Sequence, residues 1–222
     1  MLTTRFASLA VLLLLLRVEV ALAHTPEQAA HQRFEEGDLK LESGEVIQDF
    51  AISYVTHGTL NDTKSNAILM TSSIAGNHHR IDFLIGPGKA LDTNKYFIIA
   101  TDAIGNGLST SPSNSKSQHG TKFPRFTIRD MVESQYRLVR GKFGITHLLA
   151  VSGASMGGMR TLQWGVSHPD MMDALVALTP MAKTPAWSIC CQRGDAQGVD
   201  CGFRVQQRRI YAAAGKRLAG LG

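Results

Sequence analysis

A serine flanked by two glycines is the feature of this sequence most able to carry covalent chemistry. Gly153, Ser155 and Gly157 form a G-x-S-x-G pattern, which follows an apolar run at 147–151 and precedes a predicted helix over 156–167. At a sharp turn from a strand into a helix, side chains at the two flanking positions would collide with neighbouring backbone, and glycine removes the collision. Because such a turn raises the hydroxyl clear of the sheet, the pattern predicts Ser155 as a nucleophile.

The helix that follows this serine supplies the second part of the chemistry. Its first backbone N–H groups and its positive dipole end point toward the turn, where they would stabilise an oxyanion. We therefore predict the backbone N–H of Met156 as one oxyanion donor. Tight packing and phosphate binding are alternative uses of a glycine-rich turn. The spacing differs from that of a dinucleotide-binding fingerprint, and no Gly-Lys-Ser/Thr follows, which disfavours the phosphate alternative.

Short apolar segments alternate with helical segments along the chain. Continuous apolar runs are typical of strands buried on both faces, and an alternating run is typical of a half-buried strand. A capping-box pattern at 127–130, with Asp in the place of Glu or Gln, opens a second predicted helix that runs to Gly144. This order predicts an α/β fold with a mostly parallel sheet flanked by helices. The predicted strands cover residues 49–56, 67–70, 96–100, 147–151 and 174–178.

Three longer stretches are more specific than the serine pattern alone. They are Ser-Met-Gly-Gly-Met at 155–159 with Gln163 and Trp164 beyond it, residues 92–99, and residues 102–109. Through these stretches, the chain from residue 39 to residue 187 resembles the homoserine O-acetyltransferase branch of the α/β-hydrolase superfamily. The resemblance implies the α/β-hydrolase fold.

The resemblance also implies roles for particular residues. In this family the nucleophile lies in the Ser-Met-Gly-Gly-Met stretch, which makes it Ser155 here. A second oxyanion N–H comes from an apolar residue two positions before a glycine, and Ile74 matches that position. The family's chemistry forms an acyl-enzyme from an acyl ester or thioester and passes the acyl group to a hydroxyl or to water. The implied partner is a small-molecule ester or thioester, and no cofactor is implied.

The general base that such a serine needs is not evident in the sequence. Enzymes of this superfamily place the partners in the order Ser, then Asp or Glu, then His, and His168 is the only histidine after Ser155. It lies 13 residues further on, or ~20 Å at helical rise, and is better interpreted as a helix C-terminal residue. We expect the triad acid, the triad histidine, the lid and the C-terminal strands to be missing from this chain. Two interpretations of the chain remain open: an active acyltransferase or esterase, and an inactive truncated fragment.

The first residues have the layout of a secretory signal peptide. Its parts are Arg5, an apolar core over residues 6–16, and the small residues Ala21 and Ala23. We predict a signal peptide over 1–23, cleavage after Ala23, and export to the periplasm or the exterior. A membrane anchor is the alternative, but Arg17 and Glu19 interrupt the apolar run before it reaches the ~20 residues that a span requires.

Basic residues and cysteines are concentrated at the other end of the chain. Residues 183–222 account for the whole formal charge of +5, so the preceding residues are neutral overall and give no electrostatic footprint for nucleic acid. All three cysteines fall in the same region. We therefore divide the remaining chain into the N-terminal part of an α/β-hydrolase domain over 24–187 and an atypical tail over 188–222. The tail is either a native basic segment, able to bind anionic membranes or nucleic acid, or the product of a lost reading frame.

Two adjacent histidines raise the question of a metal site. His78 and His79 have Asp82 nearby in sequence, and imidazole with carboxylate is a ligand set that metal ions accept. Neighbouring residues of one loop rarely converge on a single ion without further ligands. We therefore predict no metal site.

Overall fold

The computed structural model describes residues 28 and 30–181, which build one six-stranded sheet with helices packed against it. The strands are β1 (Gln32–Lys40), β2 (Val46–His57), β3 (Ala67–Thr71), β4 (Phe97–Thr101), β5 (Leu148–Ala154) and β6 (Met172–Leu178). Their order across the sheet is β1-β2-β4-β3-β5-β6. The strands β3 to β6 are parallel, whereas β1 and β2 join the sheet antiparallel. The predicted α/β class with a mostly parallel sheet is therefore confirmed.

Two of the sequence predictions concern other parts of the chain. The predicted signal peptide over 1–23 and the atypical tail over 188–222 both lie outside the described residues. Within residues 28 and 30–181, no helix has the length and apolar character needed to cross a membrane.

The central strands are buried on both faces, as their continuous apolar runs predict. Every residue of β3 and β4 is buried. Leu69 and Ile99 belong to the larger core cluster, which lies on the side of the sheet that carries the long helices. Ile68 and Ile98 belong to a smaller cluster together with Ile85 on the opposite face. Burial of this apolar surface is the main favourable contribution to the stability of the sheet.

Two helices pack against each other over the larger cluster. Helix α1 (Ile128–Arg137) begins at Thr127 with a capping box: the Thr127 hydroxyl accepts the Asp130 N–H at 3.3 Å, and Asp130 Oδ2 accepts the Thr127 N–H at 2.8 Å. The chain continues through a π-helical turn over Leu138–Lys142 before Gly144, so the predicted start and extent are confirmed. Helix α2 (Met156–Ser167) follows β5, as predicted. Shorter 3₁₀ helices cover His78–Leu84, Gly120–Lys122 and Pro169–Met171.

A chain of buried hydrogen bonds links these helices to the sheet. Trp164 Nε1 on α2 donates to Gln135 Oε1 on α1 at 3.0 Å, and Gln135 Nε2 donates to Thr101 Oγ1 at 2.8 Å. Thr101 Oγ1 in turn donates to the Met70 carbonyl of β3 at 3.2 Å. All four residues are buried, so the hydrogen bonds fix one arrangement of the two helices on the sheet.

The outer strand β6 leaves apolar side chains in contact with solvent. Leu175 is 39% exposed, Val176 is 47% exposed and Leu178 is 49% exposed. Among the described strands, only β5 pairs with β6. An apolar edge strand of this kind can accept a further strand or another chain.

The strand β1 was not predicted from the sequence, and it holds a buried carboxylate. The register of β1 with β2 shifts between Glu35 and Gly37, which leaves Glu36 at a bulge. Both Glu36 carboxylate oxygens are buried and have no hydrogen-bond partner among the described residues. Burial raises the pKa of Glu36 from its usual 4.5 to about 8, and the neighbouring Arg137 cation offsets this only in part.

We predict that Glu36 makes the stability of the fold depend on pH. The unfolded chain loses this proton near pH 4.5, whereas the folded chain holds it up to about pH 8. Stability is therefore lost as pH rises through this window. Replacing Glu36→Gln should remove the loss, so at pH 9 the variant should be more stable than the parent by roughly 1–3 kcal/mol, with a smaller difference at pH 5. Urea unfolding at the two pH values measures this.

A matched control for this experiment is Glu35→Gln. The Glu35 side chain is 71% exposed and is adjacent in the same strand. Its replacement should leave the pH dependence unchanged. Identical pH dependence in the parent and Glu36→Gln chains would contradict a raised pKa at Glu36.

Candidate active site

Ser155 occupies the sharp turn between β5 and α2 in a conformation that few non-glycine residues adopt. Its φ is 56° and its ψ is −120°, a strained region that the surrounding structure must hold in place. The Ser155 N–H donates to the Leu178 carbonyl at the end of β6 at 2.9 Å, and its carbonyl accepts the Met159 N–H at 3.0 Å. The predicted strand-turn-helix geometry of this segment is present.

The two glycines of the pattern are required by the neighbouring strand β3. A Cβ on Gly153 would lie 2.8 Å from the Thr71 carbonyl oxygen and 2.7 Å from the Gly157 carbonyl carbon. A Cβ on Gly157 would collide with the same Thr71 oxygen. The Thr71 hydroxyl also donates to the Gly157 carbonyl at 2.8 Å. The backbone of β3 and the first turn of α2 therefore approach each other more closely than any side chain allows.

The loop that follows β3 reaches the same edge of the sheet as Ser155. In the register of these parallel strands, Thr71 pairs with Gly153, so both chains leave the sheet side by side. We call residues 72–77 the oxyanion loop. Within it, the Ile74 side chain is 58% exposed and Ala75 has a φ of 54°. The roles of Ile74 and Met156 as oxyanion donors remain predictions, and the topology places both residues beside the Ser155 turn.

A buried arginine joins α2 to the start of the oxyanion loop. Arg160 is 0% exposed, and its Nη2 donates to the Ser72 carbonyl and, at 3.3 Å, to the Ser72 hydroxyl. Burial lowers the pKa of Arg160 to about 10, and the charge of Asp102 acts in the opposite direction. The guanidinium is therefore a cation at neutral pH, fixed against the loop.

A buried histidine–carboxylate pair lies at the other end of the oxyanion loop, and the sequence analysis missed it. His78 Nδ1 lies 2.6 Å from Asp102 Oδ2, and both side chains are 0% exposed. Asp102 directly follows β4, so the signal available in the sequence was a carboxylate at the carboxyl end of a buried strand. His79 pairs instead with Asp82, with 2.7 Å between Nδ1 and Oδ2. The two adjacent histidines thus face different carboxylates, and residues 28 and 30–181 contain no group of three ligands suited to a metal ion.

His168 lies at the opposite end of α2 from Ser155, where it caps the helix. Its N–H donates to the Trp164 carbonyl at 2.8 Å, and its ring stacks on Tyr136 with centroids 4.2 Å apart. Burial lowers the pKa of His168. The interpretation of this residue as a helix C-terminal histidine is confirmed. Asp173, in β6, is exposed, and its Oδ1 lies 2.7 Å from His147 Nε2.

Comparison with known proteins gives consistent matches. A family model described as alpha/beta hydrolase fold matches residues 66–197. A homoserine O-acetyltransferase of Methanohalobium evestigatum is 45% identical over 158 residues, which cover 64% of this chain and 32% of that protein.

The chain is also similar to solved structures of an ester hydrolase and of an acetyltransferase. An acetylester hydrolase from Corynebacterium glutamicum is 44% identical with a TM-score of 0.70, over 74% of this chain and 48% of its own. A homoserine O-acetyltransferase from Bacillus anthracis is 30% identical with a TM-score of 0.66, over 78% of this chain and 55% of its own. The chain thus spans between 32% and 55% of the length of these three proteins.

We predict that Gly157→Ala destabilises the fold, because the new methyl group overlaps the Thr71 carbonyl, which cannot move without disturbing β3. The expected loss of unfolding free energy is roughly 1–3 kcal/mol, the usual cost of overpacking. Urea denaturation monitored by circular dichroism measures it. The control is Gly141→Ala, where the added Cβ would lie 3.5 Å from Phe34 Cζ, an ordinary contact. Equal stability of the two variants would argue against the close approach.

Proposed function

The chain belongs to the α/β-hydrolase fold family, and we propose that Ser155 is the nucleophile of an acyl-transfer reaction on a small ester or thioester. The observation that carries the proposal is the strained backbone of Ser155 between two glycines that no other residue can replace. A serine held in a strained conformation at a turn from a strand into a helix is typical of a functional turn.

In the proposed reaction, Ser155 Oγ attacks the acyl carbonyl carbon and its proton passes to a general base. The tetrahedral oxyanion would accept hydrogen bonds from the Met156 and Ile74 backbone N–H groups. Collapse breaks the bond to the alkoxide or thiolate, which leaves with a proton, and an acyl-enzyme remains. Water or an acceptor hydroxyl then attacks this ester and restores the serine. His168 lies at the far end of α2 from Ser155. The other histidines among the described residues precede the serine in the chain, contrary to the order of the triad in this superfamily, so the base is left unassigned.

The similar proteins include both transferases and ester hydrolases. The similarity to an acetylester hydrolase at 44% identity supports water as one acceptor, and the similarity to homoserine O-acetyltransferases supports an amino-acid hydroxyl as another. The predicted signal peptide favours hydrolysis, because acyl thioesters of coenzyme A belong to the cytosol. We therefore propose ester hydrolysis as the leading activity, with acyl transfer as the second.

We further propose that residues 1–23 direct export and that the mature chain begins at His24. Expressed with its own N-terminus in a bacterial host, the chain should lose 23 residues, as intact mass measures directly. Ala23→Lys should block the cleavage, since signal peptidase needs a small residue there. Leu22→Gln is the control, because the position between the two small residues is tolerant. An uncleaved parent chain would refute the proposed processing.

For the nucleophile, we predict that a fluorophosphonate probe labels Ser155 in the full chain. Tandem mass spectrometry should locate the adduct on the peptide that contains this residue. Ser155→Ala should abolish labelling, whereas Ser167→Ala, at the far end of the same helix, should retain it. A folded parent chain that resists the probe would favour an inactive fragment over an enzyme.

A further inference from the structure

We propose that Asp102 is a positioning residue that holds the oxyanion loop in its reactive conformation through His78. The inference rests on the proposed function, because it concerns how the backbone N–H of Ile74 is presented beside Ser155. The observation behind the inference differs from the one behind the proposed function. It is a buried carboxylate that binds the residue directly after the loop.

Asp102 holds His78 at two points. Its Oδ1 accepts the His78 backbone N–H at 3.0 Å, and its Oδ2 lies 2.6 Å from His78 Nδ1. A carboxylate that binds both the backbone and the ring of one residue fixes its position and its orientation together. Asp102 therefore fixes the first residue of the 3₁₀ helix, which directly follows the oxyanion loop, and so fixes where the loop ends.

Asp102 is itself rigidly placed in the sheet. It directly follows β4, and its backbone N–H donates to the Ser53 carbonyl of β2 at 2.9 Å. Asn106 Nδ2 donates to Asp102 Oδ1 at 2.9 Å, and the Asn106 side-chain oxygen accepts the N–H groups of Leu108 and Ser109. The position of the carboxylate is thus determined by β2, β4 and the turn after β4, rather than by the loop that it holds.

The start of the oxyanion loop is held from a different direction. Arg160 on α2 donates to the Ser72 carbonyl, and Ser72 directly follows β3. The first residue of the loop is consequently bonded to α2, which carries the nucleophile at its start. The residue just after the loop is bonded to Asp102 at the end of β4. Between these two points, Ile74 and Ala75 are the central residues of a turn that the Gly76 N–H closes by donating to the Ser73 carbonyl at 3.1 Å. The direction of the Ile74 N–H therefore depends on where the two contacts place this turn.

The neighbouring pair of His79 and Asp82 has the same chemistry without this connection. Its two atoms lie 2.7 Å apart, but both residues belong to the same 3₁₀ helix and the Asp82 side chain is 30% exposed. The Asp82 carboxylate also accepts a hydrogen bond from Gln28 Nε2 at 3.4 Å. Asp82 therefore acts on its own helix and on the N-terminal segment, whereas Asp102 binds the residue that directly follows the oxyanion loop. Asp82→Asn is therefore a matched control for Asp102→Asn, because it makes the same change of charge in the neighbouring histidine–carboxylate pair.

The first readout is amide hydrogen exchange of the full chain, which requires no activity. Asp102→Asn replaces one carboxylate oxygen with an NH₂ group and so loses one of the acceptor contacts to His78 or Asn106. Exchange in peptides covering residues 72–78 should become at least tenfold faster than in the parent, while peptides from β4 and α1 stay protected. Asp82→Asn should leave exchange at 72–76 unchanged.

The second readout is the rate of fluorophosphonate labelling of Ser155, together with ester turnover. Loss of one preorganised oxyanion donor costs about 100-fold or more in rate, and partial misplacement costs less. We expect Asp102→Asn to lower the labelling rate and kcat by roughly 10–100-fold with little change in KM. Asp82→Asn should stay within about twofold of the parent.

The outcomes separate the two claims. Unchanged loop exchange and unchanged labelling in a folded Asp102→Asn chain would overturn the positioning role. A parent chain that is not labelled would overturn the proposed function, and loop exchange would then decide alone whether Asp102 holds the loop. If Asp102→Asn fails to fold, His78→Gln removes the ring contact while leaving the backbone N–H bond to Asp102. That variant should show the same accelerated exchange, and protection equal to the parent would overturn the inference.

Discussion

The contact between the backbone of β3 and the first turn of α2 determines most of what surrounds Ser155. The Thr71 carbonyl lies so close to residues 153 and 157 that neither position accepts a Cβ atom, and the Thr71 hydroxyl fastens the helix by donating to Gly157. Because helix and strand are held this tightly, the single residue that turns between them must adopt a positive φ. The strain at Ser155 is therefore maintained by packing that extends over two strands and a helix.

Two buried charges of opposite sign lie around the loop next to this contact. Removing an ionised group from water costs free energy that pairing seldom recovers in full, so Arg160 and Asp102 contribute little net stability for their burial. These two residues instead orient the loop backbone, because each binds a specific backbone group at one end of the loop. An apolar pair of similar volume could fill the same space, but it could not determine where a backbone N–H points.

The parts of this architecture that could be predicted from sequence are those governed by local pattern. The apolar runs of β3 and β4, the capping box at Thr127 and the glycines around Ser155 each carry their own signal. The strand β1 carries none, since Phe34 and Leu39 are its only large apolar residues and it depends on pairing with β2. For the pairing of His78 with Asp102, the sequence offers only a carboxylate at the end of a buried strand. It does not identify the partner, because 24 residues separate the two and only the adjacency of β3 and β4 brings them together. Eight of the ten predicted strand ends differ from the structure, by one to three residues, because pairing with neighbouring strands decides where a strand ends.

The burial of Trp164 also gives the protein an optical signal of its own. The indole is 0% exposed and its N–H is bonded to Gln135 across the interface between α1 and α2. An indole in such apolar surroundings emits at shorter wavelength than one in water, and its emission changes when the two helices separate. The sequence contains one other tryptophan, Trp187, so a Trp187→Phe chain would isolate the signal. The docking of the helix that carries the serine could then be followed in real time, without an attached dye and without any substrate.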